Sequence, residues 1–204
     1  NRRALQEYAI LFGDNGDEHR KWYVNSIQIR DGKLSDAQLA WLGGPSAEGI
    51  PADIPEINVG GQWDFNEGLV ATVGEDLEFF GGAESPAAQN TEFGLASDFG
   101  IEGIDGEPTQ VMVTPYIRSN ELGYIMRHGL EPNGGGTKVN QYTLIYDVYL
   151  DTRGDSAASM IQIDSLNNTN DGDYFWQGNN FGQGGGGYKG LGTFTPGSWH
   201  RIAL

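Results

Sequence analysis

A chain of 204 residues can bury a full hydrophobic core, as one sandwich or as parts of two. Its 32 glycines, 8 prolines and 20% charged residues argue against a helical fold and for a loop-rich, all-β one, and the lack of cysteine excludes a disulfide framework or a thiolate zinc site. With 12 basic against 28 acidic side chains, its surface repels phosphate backbones and anionic lipid, so no nucleic acid is expected as partner, while divalent cations and neutral glycans suit it. No apolar run approaches the length of a membrane span, so no membrane insertion is expected. A start at Asn1 with no signal peptide reads as a processed or excised piece.

In chain order, residues 4–12 (ALQEYAILF) and 22–30 (WYVNSIQIR) read as strands flanking an acidic loop, GDNGDEHRK. A helix is predicted over 35–42. Ser35 is a good N-cap, Gln38 completes a capping box, and Leu34 with Leu39 can form a hydrophobic staple. Leu39 and Leu42 are expected to face the core, and Gly43-Gly44 supplies the stop. Three prolines and no periodicity make 45–61 a linker or a crossing segment. Charge steps across it: 6 basic and 9 acidic groups before residue 62 give −3, and 6 and 19 after it give −13.

Short β-like runs then alternate with turns at 69–73, 76–80, 109–116, 122–128, 139–150, 159–164, 188–194 and 198–204, the rhythm of a sandwich or barrel. The run 139–150 is apolar on both faces (Tyr142, Leu144, Tyr146, Val148 and Leu150 against Ile145 and Tyr149). It is expected to be a central strand.

Several motifs fail on context. The formal G-x-G-x-x-G at Gly182, Gly184 and Gly187 follows an Asn-rich loop and precedes a β-like run, which suits a flexible loop and not a dinucleotide fold. His19, His128 and His200 are isolated and read as structural. No Glu-x-Asp-x-x-Glu pattern of sandwich glucanases is present. Glu75-Asp76-Leu77-Glu78 has the wrong spacing, and Asp147 with Asp151 offers only two carboxylates on one face, expected as a solvated or hydrogen-bonded pair. No catalytic residue is nominated.

The densest polar cluster lies in IDSLNNTNDGDYFW. Asp164, Asn168, Asn170, Asp171 and Asp173 gather the hard oxygen ligands that calcium needs, or else supply the backbone angles of a β-turn. The acidic loop at Asp14, Asn15, Asp17 and Glu18 poses the same choice. Beside the cluster, Tyr174, Trp176, Phe181 and Tyr188 can stack on sugar rings, although strand alternation lets at most half of such a set face a ligand.

The stretch YVNSIQIRDGKLSDAQLAWL (23–42) resembles the closing strand and short helix of laminin-G-like, concanavalin A-like jelly-roll modules. Residues 62–80 resemble the opening strands of another such module, and 123–150 with PGSWHRIAL its middle. The resemblance implies a two-sheet antiparallel jelly roll, commonly with a calcium site at one rim, in secreted or surface proteins, many of them bacterial, that bind glycans or proteins without catalysis. The order of the pieces divides the chain into 1–50, the end of a module, a linker at 51–61, and 62–204, the start and middle of a module. Either the tail of one repeat leads into the head of the next, or the tail completes the head as a permuted module, in the same chain or in a neighbour. The expected function is an extracellular adhesion or glycan-binding module, calcium-stabilised, with a glycan or surface protein as partner. The alternatives are a structural subunit that shares strands with copies of itself in a filament or array, and a carbohydrate-active enzyme on the same fold.

Overall fold

The computed structural model describes residues 3–13, 19–54, 56–117, 119, 122–151, 157–163, 174–177, 180–183 and 189–204. Its elements in chain order are β1 (Ala9–Leu11), β2 (Trp22–Asp31), α1 (Asp36–Leu42), β3 (Val59–Trp63), β4 (Glu78–Phe79), α2 (Pro86–Asn90), β5 (Glu92–Leu95), β6 (Gln110–Val113), β7 (Tyr124–Met126), β8 (Tyr142–Leu150), β9 (Ala158–Gln162), β10 (Tyr174–Gln177), β11 (Asn180–Gln183), β12 (Lys189–Thr193) and β13 (Trp199–Ala203). Short 3-10 turns cover Ala96–Phe99 and Ile104–Gly106. The strands build two antiparallel sheets. One runs β12-β11-β10-β9-β1-β7-β4; the other runs β13-β8-β2-β6-β5, with β3 also paired to β2.

The sheets close on a core of alternate residues. From β2 come Trp22, Val24, Ile27 and Ile29, and from β8 Leu144, Tyr146, Val148 and Leu150. The opposite sheet supplies Ala9 and Leu11, Tyr124 and Met126, Ala158 and Met160. The inward set of β2 switches parity between Val24 and Ile27 because the pairing with β8 carries an extra residue between Val24 and Ser26. Such a bulge turns the following side chains over by one position. Across the interface Phe12 packs on Trp22 and Tyr146 at ring separations of 6.1 and 5.7 Å, and the Tyr146 hydroxyl donates to the Met160 carbonyl at 3.2 Å. As its two apolar faces require, β8 is central, between β13 and β2.

The outer face of the second sheet is covered twice. Ala96 and Ile101 close over Tyr23, Val111 and Val113. Leu34, Leu42, Ile50 and Ile54 close over Ile145. The proline-bearing stretch after α1 is therefore fastened to the sheet. Gln28 Nε2 donates to the Pro51 carbonyl at 3.2 Å, while Arg30 donates to the carbonyls of Pro51 and Ile57 at 2.7 and 2.8 Å. These bonds satisfy backbone groups that no ladder reaches, which explains two long polar side chains on a central strand. The expected linker 51–61 falls on this packed segment and on β3. Residues 1–50 and 62–204 each contribute strands to both sheets of this chain.

Helix α1 forms with its caps as read. The Ser35 Oγ accepts from the Gln38 amide and the Gln38 Oε1 accepts from the Ser35 N–H at 2.8 Å; Gly43 at φ 64° ends it. Leu42 is buried, but Leu39 is 37% exposed and does not face the core. Four strands, β3, β5, β10 and β11, arise where no β-like run was expected, and β11 takes Gly182 of the expected flexible loop into a ladder with β10; 69–73 contributes only a bridge, at Val73 to Gln62.

Candidate functional site

The sequence-nominated residues scatter. Asp164, Asn168, Asn170, Asp171, Asp173 and Tyr188 lie outside the described residues, as do Asp14, Asn15, Asp17 and Glu18. Among the described residues, no three His, Asp or Glu side chains group as a metal site. Trp176 is fully buried in the core between the sheets. Phe181 is 7% exposed and stacks with Tyr174, planes 8° apart and ring centres 6.3 Å apart. Tyr174 is half-buried and lines an open cleft.

That cleft, of about 340 Å³, is bordered by the start of β8, the end of β13 and Tyr174 at the start of β10. Tyr142 and Tyr174 give it aromatic walls, Leu34, Leu39 and Leu204 add apolar surface, and Arg3, Lys33, Asn140 and Gln141 supply the polar groups. Its size and mixed lining are those of a small-ligand site. The Arg3 guanidinium lies 5.9 Å from the Tyr174 ring centre, and the Tyr142 hydroxyl donates to the Arg3 carbonyl at 2.9 Å. Burial pushes both phenols above the ordinary tyrosine value, with the Arg3 charge working against it. Both therefore stay protonated and act as hydrogen-bond donors at physiological pH. The Asn140 amide is spent on the preceding loop, donating to the carbonyls of Asn133, Gly135 and Lys138 at 2.9 Å each. Lys33 and Gln141 are exposed at the rim.

A second cavity, of about 390 Å³, adjoins the first at Tyr174, Ala203 and Leu204. It runs beneath the inner face of β13, between Ile202 and His200 on one side and Phe181 and Phe194 on the other. Together the two cavities follow the flank of the sandwich at which β13 is the last strand.

The other concentration of polar groups is covered. Asp147, in the middle of β8 on the outer face, is fully buried. Arg201 meets it in parallel, Nε to Oδ1 at 2.7 Å and Nη2 to Oδ2 at 2.6 Å, and also donates to the carbonyls of Leu42 and Gly49. Burial pushes the Asp147 carboxyl above its ordinary value; the Arg201 guanidinium, the Ser46 N–H and charge–charge attraction pull it back. Nearby, Asp64 accepts from Ser26 Oγ at 2.6 Å, Thr72 Oγ1 at 2.7 Å and Gln62 Nε2 at 3.0 Å. The expected Asp147–Asp151 pair does not form: Asp147 is bonded to Arg201 and Ser46, and Asp151 is exposed at the strand end. A carboxylate so enclosed fastens the 42–49 segment to the sheet and reaches no ligand.

The remaining singled-out groups hold structure together. Asp76 caps the Ala71 N–H at 2.8 Å, and Glu78 pairs with Arg127 at 3.3 Å. His128 is buried with both ring nitrogens bonded, Nε2 donating to the Gln6 carbonyl and Nδ1 accepting from the Leu130 N–H. His200 bonds the Thr195 carbonyl at 2.9 Å and packs on Phe194 at 4.2 Å.

Arg3, Lys33 and Tyr142 went unnominated as site residues because the cleft joins positions up to 201 residues apart, from Arg3 to Leu204. The one local signal was Tyr142, at the head of a run apolar on both faces. Compared with known proteins, the chain finds no match among family models, curated proteins or solved structures.

Proposed function

We propose that this chain is a non-catalytic adhesion or glycan-recognition module of laminin-G-like, jelly-roll type, working at a cell surface or after secretion. The observation that carries the reading is the Tyr174 ring, half-buried and backed by Phe181, at a cleft whose rim offers the Lys33 and Gln141 side chains. A sugar ring has an apolar face that stacks on an aromatic side chain and hydroxyls that bond polar groups at its edge. Two antiparallel sheets around one core support the jelly-roll reading at the level of architecture. Calcium belongs to the proposal through the oxygen-rich stretch Asp164–Asp173.

The test is a glycan array followed by titration calorimetry on the best oligosaccharide, with calcium and with EDTA. Tyr174→Ala is expected to weaken binding at least about tenfold, roughly the worth of one aromatic contact. A thermal melt of the variant separates lost binding from lost fold. An array with no binder, or binding indifferent to Tyr174 in a folded variant, refutes the reading.

A further inference from the structure

Among the described residues five strands border the two sheets: β4 and β12 in one, β3, β5 and β13 in the other. Soluble proteins guard such edges with charge, short length, bulges or glycine, because free N–H and C=O groups invite another strand. Four of the five are guarded. Strand β3 carries Gly60 and Gly61 and is bridged at Gln62 by Val73. Strand β4 has two residues and carries Glu78. Strand β5 carries Glu92 and Gly94. Strand β12 carries Gly190 and Gly192, with a register break opposite Phe181 and Gly182.

Strand β13 has none of these devices. Its five residues pair with β8 in unbroken register from Trp199↔Tyr149 to Ala203↔Ile145. Leu204 and Leu144 exchange both hydrogen bonds, at 2.8 and 3.1 Å, which fixes the phase of the ladder. His200 and Ile202 therefore bond toward β8, and the backbone N–H and C=O groups of Trp199, Arg201 and Ala203 point away from the sheet. Among the described residues no group bonds them. The one charged side chain, Arg201, is folded back onto Asp147 and the Leu42 and Gly49 carbonyls, so it does not defend the edge.

We infer that β13 is an association edge for a second copy of this chain, the two strands pairing antiparallel about a twofold axis at Arg201. The sequence is self-complementary in that register. Trp199 falls opposite Ala203 of the other copy, large against small, and both Trp199 and Ala203 direct their backbone groups across the junction. Arg201 meets its own equivalent, a contact that each Asp147 neutralises. His200 falls opposite Ile202 on the inner face. A closed twofold contact of this kind joins the two six-stranded sheets into one and leaves no β13 edge to propagate.

The test uses the whole chain in sedimentation equilibrium over about three decades of concentration. The wild type is expected to pass from monomer to dimer, and to do so at lower concentration when salt screens the charge of −16 on each copy. Ala203→Pro removes an outward N–H and no bond to β8, so it is expected to abolish the dimer while keeping the urea midpoint. Ala203→Lys, which leaves the backbone intact and puts charge at the edge, is the second variant and is expected to abolish it too. A monomer at every concentration and salt overturns the inference. So does a dimer that survives both substitutions, which would place its contact elsewhere.

Discussion

Arg201→Met cuts the clasp that holds the 42–49 segment on the second sheet while keeping most of the side-chain stem. Four hydrogen bonds go: two to Asp147, at 2.7 and 2.6 Å, and one each to the Leu42 and Gly49 carbonyls. What remains is a carboxyl with no exposure and one long contact, 3.4 Å, from Ser46. Breaking a buried pair by removing one partner costs about 3–5 kcal/mol, because the other charge stays buried. At a urea slope of about 2 kcal/mol per molar, the unfolding midpoint should fall by about 2 M, read by tryptophan fluorescence.

The variant should also change its response to pH. Burial is the leading cause holding Asp147 above its ordinary 3.8, and Arg201 is the main force opposing it. Without Arg201 the folded carboxyl rises further, so between the unfolded value and the raised folded value the folded chain binds more protons. Stability is then fully present below the unfolded value and is lost as pH rises through the folded one. Relative to wild type, Arg201→Met should thus be less destabilised near pH 4 than at pH 7. Asp147→Leu combined with Arg201→Met removes both charges and should recover much of the loss. A single-variant loss under about 1 kcal/mol, or a double variant as unstable as the single, would refute the claim that the pair is energetically coupled.

Two further changes probe the covering segment from either end. Ser35→Ala removes the N-cap of α1 and its reciprocal bond with Gln38, and should cost about 1 kcal/mol in urea unfolding with an unchanged slope. Gly49→Ala places a methyl 2.6 Å from Asp64 Oδ1 and 3.2 Å from Ser26 Oγ at a φ of +87°. It should cost about 2–3 kcal/mol, more than the same change at Gly43, φ +64°, where the methyl meets nothing within 4 Å.

Legibility in the sequence followed the range of the forces. Helix α1 was readable because its cap, capping box and glycine stop lie within ten residues. Central β8 was readable because both its faces are apolar. Leu39 misled because helical spacing says which residues share a side, not whether the next segment covers that side; Leu39 faces the cleft instead. Strands β3 and β5 hid because VGGQW and EFGL carry glycines and no alternation, and take their strand form from partners β2 and β6. Tyr174 could be picked as an aromatic beside polar residues. The burial of Trp176, two positions on, depends on β9 and β11 lying on either side of it. Asp147 looked like half of a carboxylate pair because its true partner, Arg201, lies 54 residues away.

Strand β2 lies inside its sheet, yet its main neighbour, β8, begins more than a hundred residues downstream; the bond from Leu34 to Thr143 already spans 109 positions. During synthesis at about 5–20 residues per second, a ribosome would display Trp22–Asp31 for several seconds to tens of seconds before Tyr142–Leu150 emerged to pair with it. Through that interval the backbone N–H and C=O groups along the β8 side of β2 have no native partner. Its early neighbours, Val59–Trp63 and Gln110–Val113, come out first and pair with it along the opposite edge. The nascent sheet thus grows from one side, and the β8 edge of β2 is the last of its two edges to be paired.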